Sequence, residues 1–326
     1  MFTEAFEDIL RDHCTPAVVR AIEGGASAAP LWDAVAGTGL LELLAPEEQG
    51  GAALALAELF PVLHLLGRHA VPLPIGESLV ARALLPAGQV PDGMLALAPA
   101  VRAREGGGWR CPNVPFGALA EHLMADDGEQ LLLFSCAGAR RERTGIHGSL
   151  AATLDFAADA APARLPRHGD AARAFGAALY AALLSGALAR AFDLTLQYGN
   201  DRQQFGKAIG KFQAIQHQLA VMAQLVAAAR IAAEAAFEAS GRAPALLAAA
   251  MAKARASEAA APCASVAHAV HGAIGVTAEY DLQLHTRRLH EWRIAHGSET
   301  HWHGVVGQAV LAAGRPLADY VRGVGH

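Results

Sequence analysis

Two long, apolar, alanine-rich segments, residues 170–199 and 212–240, constrain this fold more than any other feature of the chain. Alanine favours helix and lets helices approach closely, so both segments read as helix. In the second, Ile215, Leu219, Met222, Leu225 and Val226 recur at helical spacing and lay one buried stripe along it. The two are joined by a short basic turn, Tyr198-Gly199-Asn200-Asp201-Arg202-Gln203-Gln204-Phe205-Gly206, with Lys207, Gly210 and Lys211 following. Glycine lets such a turn bend sharply and approach a ligand, and Arg202 offers a planar fork suited to two phosphate oxygens. Phe205 offers a ring for stacking. Taken alone, an R-x-x-F-G turn reads as a helix hairpin with a solvated arginine.

The rest of the chain falls into three stretches. Residues 1–90 read as helices broken by turns: an apolar helical pattern at Leu31, Trp32 and Val35 to Leu44, turn chemistry at Pro46–Gly51, helix from Ala52 to Gly67, and a short helix from Leu79 to Leu85 after Pro72 and Pro74. From 91 to 166 prolines, glycines and charges interrupt short apolar runs such as Leu131–Phe134 and Thr153–Phe156, which fit strands. Gly106-Gly107-Gly108 reads as a hairpin turn; no helix follows it and no lysine sits where a phosphate loop needs one. From 167 to 326 four helical segments are expected, 170–199, 212–240, 245–271 and 280–313, with a break at Gly241–Pro244, the pattern of an antiparallel bundle. The fold class is mainly α with a small β domain.

Composition narrows the function. Hydrophobic residues make up 53% and charged ones 17% of 326, a richness that points to buried subunit interfaces. A net charge of −5 gives no basic field for nucleic acid. No run of 18 or more apolar residues lacks a charge or a breaker, and the acidic start is no signal peptide, so a cytoplasmic protein without a membrane span is expected. Cys14, Cys111, Cys136 and Cys263 are scattered, which indicates neither a disulfide frame nor a zinc site. His290, His296, His301 and His303 cluster without an acidic ligand, and no metal is assigned to them. Arg140-Arg141-Glu142-Arg143 reads as a solvated loop.

Three motifs, in order along the chain, resemble the acyl-CoA dehydrogenase family. R-Q-Q-F-G-K-A-I at 202–209, followed by F-Q-A-I-Q-H-Q-L-A-V-M at 212–222, is similar to the signature at the start of that family's C-terminal helical domain. Val270-His271-Gly272-Ala273-Ile274-Gly275-Val276-Thr277, with Glu279-Tyr280 and Arg287-Arg288 beyond it, resembles its glycine-rich turn. Gly39-Leu40 through Ala45–Gly51, then Glu58 and Leu66-Gly67-Arg68, is similar to its N-terminal helical domain.

The resemblance implies an N-terminal helical domain over 1–90, a shortened middle β domain over 91–166 and a C-terminal four-helix bundle over 167–326. It implies FAD, an acyl-CoA thioester, and α,β-desaturation in which a carboxylate removes the α-proton while the β-hydrogen leaves as hydride. Arg202, Phe205, Gln213, Gly272, Ser298 and Thr300 are the implied cofactor contacts, the ADP half belonging to a neighbouring subunit's FAD. The chain departs from the pattern in several places. A family glutamine falls at Ala269 and a family glycine at Ala273. The usual catalytic glutamate falls at His296, and the alternative position on the first bundle helix falls at Gly176, so neither base position holds a carboxylate. Glu291 and Glu299 read as surface charges. The family's Thr-Glu-Pro stretch is replaced by Leu97–Val101 and its Trp-containing strand by Pro115–Leu119, so the flavin-ring pocket is expected to be lost while the ADP-docking turn is kept.

The expectation that follows is a subunit that completes the FAD site of a longer, glutamate-bearing acyl-CoA dehydrogenase subunit, in an α2β2 hetero-oligomer acting on a bulky, for example steroid-derived, CoA thioester. Two alternatives stand beside it: a homo-oligomeric dehydrogenase with His296 as base, and a non-enzymatic CoA-ester or protein-binding module on the same fold.

Overall fold

The computed structural model describes residues 2–323. Five helices come first: α1 (Phe2–His13), α2 (Pro16–Glu23), α3 (Ala29–Ala36), α4 (Leu56–Arg68) and α5 (Ile75–Leu84). The helical pattern expected through Leu44 breaks at Gly37–Gly39, and Leu40–Glu42 continues only as a 3-10 turn. Eight strands follow: β1 (Leu95–Ala98), β2 (Arg102–Ala103), β3 (Trp109–Val114), β4 (His122–Asp126), β5 (Leu131–Ser135), β6 (Arg140–Arg143), β7 (Ala152–Phe156) and β8 (Ala163–Leu165). They form two four-stranded sheets, ordered β1-β4-β5-β8 and β2-β3-β7-β6. Only the β1–β4 pairing is parallel. The sheets share a small core in which the rings of Phe134 and Phe156 stack with centroids 4.4 Å apart. Gly106–Gly108 turns the β2–β3 hairpin, all three at positive φ.

The Arg140–Arg143 segment is a strand rather than a loop. It pairs with β7 as an edge strand whose four residues are all exposed, and the Arg141 guanidinium donates to the carbonyls of Ala118 and Ala120 at 2.8 and 2.7 Å. Charge along an exposed edge discourages pairing with another sheet. At an edge of the other sheet, β1 is sealed by α5. Ser78 Oγ accepts from Leu95 N at 3.0 Å and donates to Leu95 O at 2.9 Å, and Glu77 Oε2 accepts from Leu97 N at 3.0 Å. These bonds satisfy backbone groups that would otherwise be buried unpaired, and they fix where residues 97–101 leave the sheet.

The C-terminal half holds α6 (Ala171–Asp201), a two-residue hairpin β9 (Gln203–Gln204) and β10 (Lys207–Ala208), then α7 (Gln213–Ala235), α8 (Leu246–His271), α9 (Leu282–Ile294), α10 (Glu299–Ala313) and α11 (Leu317–Gly323). The fourth expected segment is therefore two helices. Its break falls at His296 and Gly297, both at positive φ, +52° and +99°. By length and composition α6, α7 and the stretch 246–276 are each apolar enough to cross a membrane, a looser criterion than the unbroken run sought in the sequence. In α6 the most apolar window is 83% buried within this fold, whereas in α7 it is 22% buried, so α7 turns apolar surface outward.

Helix α6 is the axis of the molecule, and its contact with α4 is backbone against backbone. A Cβ on Gly67 would lie 2.0 Å from Leu183 O, and one on Gly186 would lie 2.0 Å from His64 O. Beside this crossing, Ser185 Oγ donates to Ala182 O at 2.7 Å and so is left to accept from His64 Nδ1 at 2.8 Å. Neither glycine can carry a side chain unless the helices separate. Gly67→Ala and Gly186→Ala are each expected to destabilise the fold by about 3 kcal/mol through overpacking, read as a lower urea midpoint.

Candidate functional site

Two places gather the residues singled out in the sequence. The first lies where α6 and α8 end. Arg202 and Gly272 line one cleft of about 450 Å³ with Tyr198, Gln204, Ile209, His271 and Ile274. Arg202 caps α6, its backbone N donating to Tyr198 O at 2.9 Å. Its guanidinium has no hydrogen bond or ion pair among the described residues, and the residue is exposed. Phe205 sits at the hairpin tip at φ +50° and is 91% exposed, touched edge-on by Phe212 at 6.1 Å. Gln213, exposed, is the first residue of α7, where the helix leaves backbone N–H groups free for an anion. Gly272 ends α8 at φ +64° and ψ −145°, a conformation open essentially to glycine alone. No atom stands within 4 Å of where its Cβ would be. A free guanidinium, an exposed ring and an unfilled glycine turn fit the ADP half of FAD. Arg202 would hold its phosphate oxygens and Phe205 would pack on a ring.

The second place is the break between α9 and α10. Ser298 precedes α10 and Thr300 lies exposed in its first turn, so both sit with His296 and apart from the Arg202 cleft within this chain. The His296 ring stacks on Tyr180, centroids 5.0 Å apart and planes 22° apart, and its Nε2 is sealed without a partner. A Cβ on Gly176 would stand 2.5 Å from His296 Nδ1. The two base positions offered by the resemblance are thus one place in space, shared by a glycine and an imidazole. Burial, with the nearby Lys253 charge, pulls His296 from 6.5 down to about 3. An imidazole so depressed is a weak base at neutral pH.

Three residues that sequence reasoning missed surround it. Lys253 Nζ, fully buried, donates to Ser257 Oγ at 2.8 Å and to the carbonyls of Trp292, Arg293 and Gly297 at 3.0, 2.9 and 3.0 Å. Burial pulls its amine down to about 7. Tyr180 donates a short hydrogen bond to Glu77 Oε1, and burial pushes the Glu77 carboxyl up to about 8, so it is protonated at neutral pH. A signal for two of them was present: Lys253 interrupts the apolar run 246–254, and Glu77 is the sole carboxylate between Glu58 and Asp92. In front of this group lies a cleft of about 480 Å³, lined by Leu97–Val101, Met124, Arg173, His296 and Trp302 among others. Residues 97–101, which stand where the resemblance would place a Thr-Glu-Pro stretch, form part of its wall.

Glu291 and Glu299 are not surface charges. Glu299 is clasped by Arg293, whose Nε lies 3.1 and 3.0 Å from its two oxygens. Glu291 is half-buried beside Ser149, and desolvation there raises its carboxyl above the usual range. It flanks a network in which Arg287 and Arg288 hold Glu23 of α2 at 2.6 and 2.7 Å, joining the N-terminal helices to α9. Among the described residues no group of three or more His, Cys, Asp or Glu is placed to hold a metal.

The neutral state of His296 has a measurable consequence. The unfolded chain takes up a proton on this imidazole near pH 6.5, and the folded chain does so only near 3. Its contribution to stability is full above 6.5 and is lost as pH falls toward 3. Replacing His296→Phe should flatten the acid limb of the stability–pH curve by about 1.4 kcal/mol per pH unit over that window, read by urea unfolding at stepped pH.

Residues 172–311 match the family described as acyl-CoA dehydrogenase, C-terminal domain. Over 298 residues the chain is 34% identical to the acyl-CoA dehydrogenase IpdE2 of Mycolicibacterium smegmatis, covering 89% of this chain and 91% of that protein. It is 33% identical over 295 residues to the IpdE2 of Mycobacterium tuberculosis, covering 89% and 90%. Among solved structures, a variant of the Tcur3481–Tcur3483 steroid ACAD superposes with a TM-score of 0.82 at 28% identity, covering 96% of this chain and 97% of that one. The ChsE4–ChsE5 complex from Mycobacterium tuberculosis superposes with a TM-score of 0.83 at 24% identity, covering 96% of both chains, and shares the fold. With these relatives matched along nearly their whole length, and with the Arg202 and Gly272 turns brought into one cleft, the chain belongs to the acyl-CoA dehydrogenase family.

Proposed function

We propose that this chain is the subunit of a heteromeric FAD-dependent acyl-CoA dehydrogenase that completes the FAD site of a longer partner without supplying the base. The contact between Gly176 and His296 carries the reading. Both base positions converge on one point, and what stands there is an imidazole depressed to about 3 where the reaction needs a carboxylate. Glu77, close by, lies behind Tyr180 with its carboxyl pushed up to about 8, and Asp126, which lines the cleft, is held by Arg167 at 2.9 Å. The α-proton of the thioester is then removed by a carboxylate of the longer subunit. FAD, held in part by Arg202 and Phe205, would supply the acceptor for the hydride that leaves the β-carbon.

The part left to this chain is binding and orientation. Arg202 is an unpaired guanidinium on the outside of the molecule, suited to a bidentate hold on phosphate oxygens. Phe205 is an aromatic ring almost wholly in water, an arrangement that becomes favourable once another surface covers it. Outward apolar surface on α7, including Val221 and Ile231 at 52% and 67% exposure, supplies area for a subunit contact beside the hairpin. Relatives described as the Tcur3481–Tcur3483 steroid ACAD and the ChsE4–ChsE5 complex each pair two gene products, which supports a hetero-oligomer, with α2β2 as the proposed assembly. The steroid in the first of these supports a bulky, steroid-derived CoA thioester as substrate.

The reading is tested by the visible spectrum and native mass of the chain purified alone and with a longer homologous subunit. The chain alone should be colourless, and the pair yellow. In the pair, Arg202→Ala should weaken FAD retention roughly tenfold or more, the loss of a charge-assisted phosphate contact of about 1.5–3 kcal/mol. A yellow homo-oligomer of this chain that loses turnover with His296→Ala would overturn it.

A further inference from the structure

The Arg202 turn and the Gly272 turn come from the ends of different helices, and three aromatic rings bridge the gap. Tyr198 lies one turn before Arg202 on α6, and His271 directly precedes Gly272 at the end of α8. Their rings stack with centroids 4.4 Å apart and planes 25° apart. Tyr280 closes the group, 5.2 Å from His271 and 6.3 Å from Tyr198, edge-on to the latter at 78°. The His271 ring is only 3% exposed. Its Nδ1 lies 2.8 Å from Ala267 O, so Nδ1 carries the proton and Nε2 is a lone-pair nitrogen, sealed without a partner in the wall of the cleft. A ring fixed by its own helix on one side cannot swivel, which makes it a rigid face for Tyr198.

The third ring is tied from outside the bundle. Arg20 of α2 donates from Nε to Ala278 O and from Nη2 to Glu279 O, both at 2.9 Å, and its Nη2 lies 2.6 Å from Asp281 Oδ1. These three partners flank Tyr280 in the sequence. The hairpin beyond Arg202 has only two paired residues on each side and is exposed apart from Ala208. Backbone bonds from Arg202 N to Tyr198 O and from Ile209 N to Arg202 O, both 2.9 Å, tie Arg202 to the end of α6, so its distance from Gly272 depends on how the ends of α6 and α8 are joined.

We infer that Tyr198, His271 and Tyr280 are positioning residues that hold the Arg202 turn at a fixed distance from the Gly272 turn, so that the FAD-docking cleft is formed before the partner arrives. The inference rests on the function proposed above for that cleft. A preformed cleft spares the binding step the ordering of Arg202, and loss of the stack shifts that ordering onto binding.

The test compares Tyr198→Ala and His271→Ala with Tyr198→Phe and His271→Phe, all in the paired complex, with Arg202→Ala as reference. FAD affinity is read by flavin fluorescence, and amide hydrogen exchange over 203–208 is read on the chain alone. Each alanine variant should weaken FAD about tenfold and speed exchange in the hairpin, and each phenylalanine variant, which keeps a flat ring, should restore both. Tyr198→Ala added to Arg202→Ala should weaken FAD no further than Arg202→Ala alone, an outcome that general loss of stability would not produce. Wild-type FAD affinity and wild-type exchange in the alanine variants, with Arg202→Ala still weakened, would overturn the inference and leave the proposed function standing. If Arg202→Ala itself binds FAD normally, the proposed function fails, and the hairpin exchange alone then decides whether the stack positions Arg202.

Discussion

The hydrogen bonds of Lys253 are the interaction on which the His296 side of the fold depends. A lysine amine fully inside a helical bundle is unfavourable unless its donors find acceptors. Here those acceptors are Ser257, one turn along the same helix, and the carbonyls of Trp292, Arg293 and Gly297 where α9 ends. The last carbonyls of a helix have no partner within the helix and carry the negative end of its dipole, so a cation or strong donor suits that place. The amine thereby fixes where α9 stops, and the stop is what throws His296 and Gly297 into positive φ and turns the imidazole onto Tyr180. The same charge depresses His296, and so the group that shapes this corner also weakens the base placed in it.

A second ladder meets the first at Tyr180. Leu97 N is accepted by Glu77, Glu77 receives the Tyr180 hydroxyl, and Tyr180 carries the His296 ring. It connects the edge of the β region to α5, α6 and the α9–α10 break with groups that are neutral at pH 7, apart from a lysine poised near its own midpoint. Neutral groups are tolerated in an interior, where an ionised one needs a partner.

Legibility in the sequence followed the range of the interactions. The long helices were readable because alanine runs and the stripe from Ile215 to Val226 report local periodicity, and the β region because short apolar runs between glycines report strands. The turn at 198–213 and the turn at 270–277 were readable as motifs, and the fold brings Arg202 and Gly272 to one cleft. What was not readable depended on contacts between distant segments. The α9–α10 break is set by a lysine some forty residues away, a separation no periodic pattern encodes. Glu291 looked solvated because charges beside arginines on a helix usually are, and its burial comes from Ser149 and the N-terminal Glu23 network. Arg140–Arg143 looked like a loop because four charges in a row are a poor strand signal, yet pairing with β7 supplies what composition does not.

The two ends of the site are in opposite energetic states. At His296 the ring is stacked on Tyr180 in the wall of an open cleft, and its depressed imidazole offers a ligand no charge to pair with. At Arg202 the situation is reversed. A guanidinium with no carboxylate, a phenylalanine 91% in water and a helix start with free amides are each unsatisfied in the isolated chain, and one phosphate-bearing, ring-bearing ligand on a second surface would satisfy them together. Burial of an exposed aromatic and pairing of a free guanidinium both favour association. A chain organised this way gains most from being docked against something else, and under the function proposed above it would contribute position where a self-sufficient enzyme of the family contributes a base.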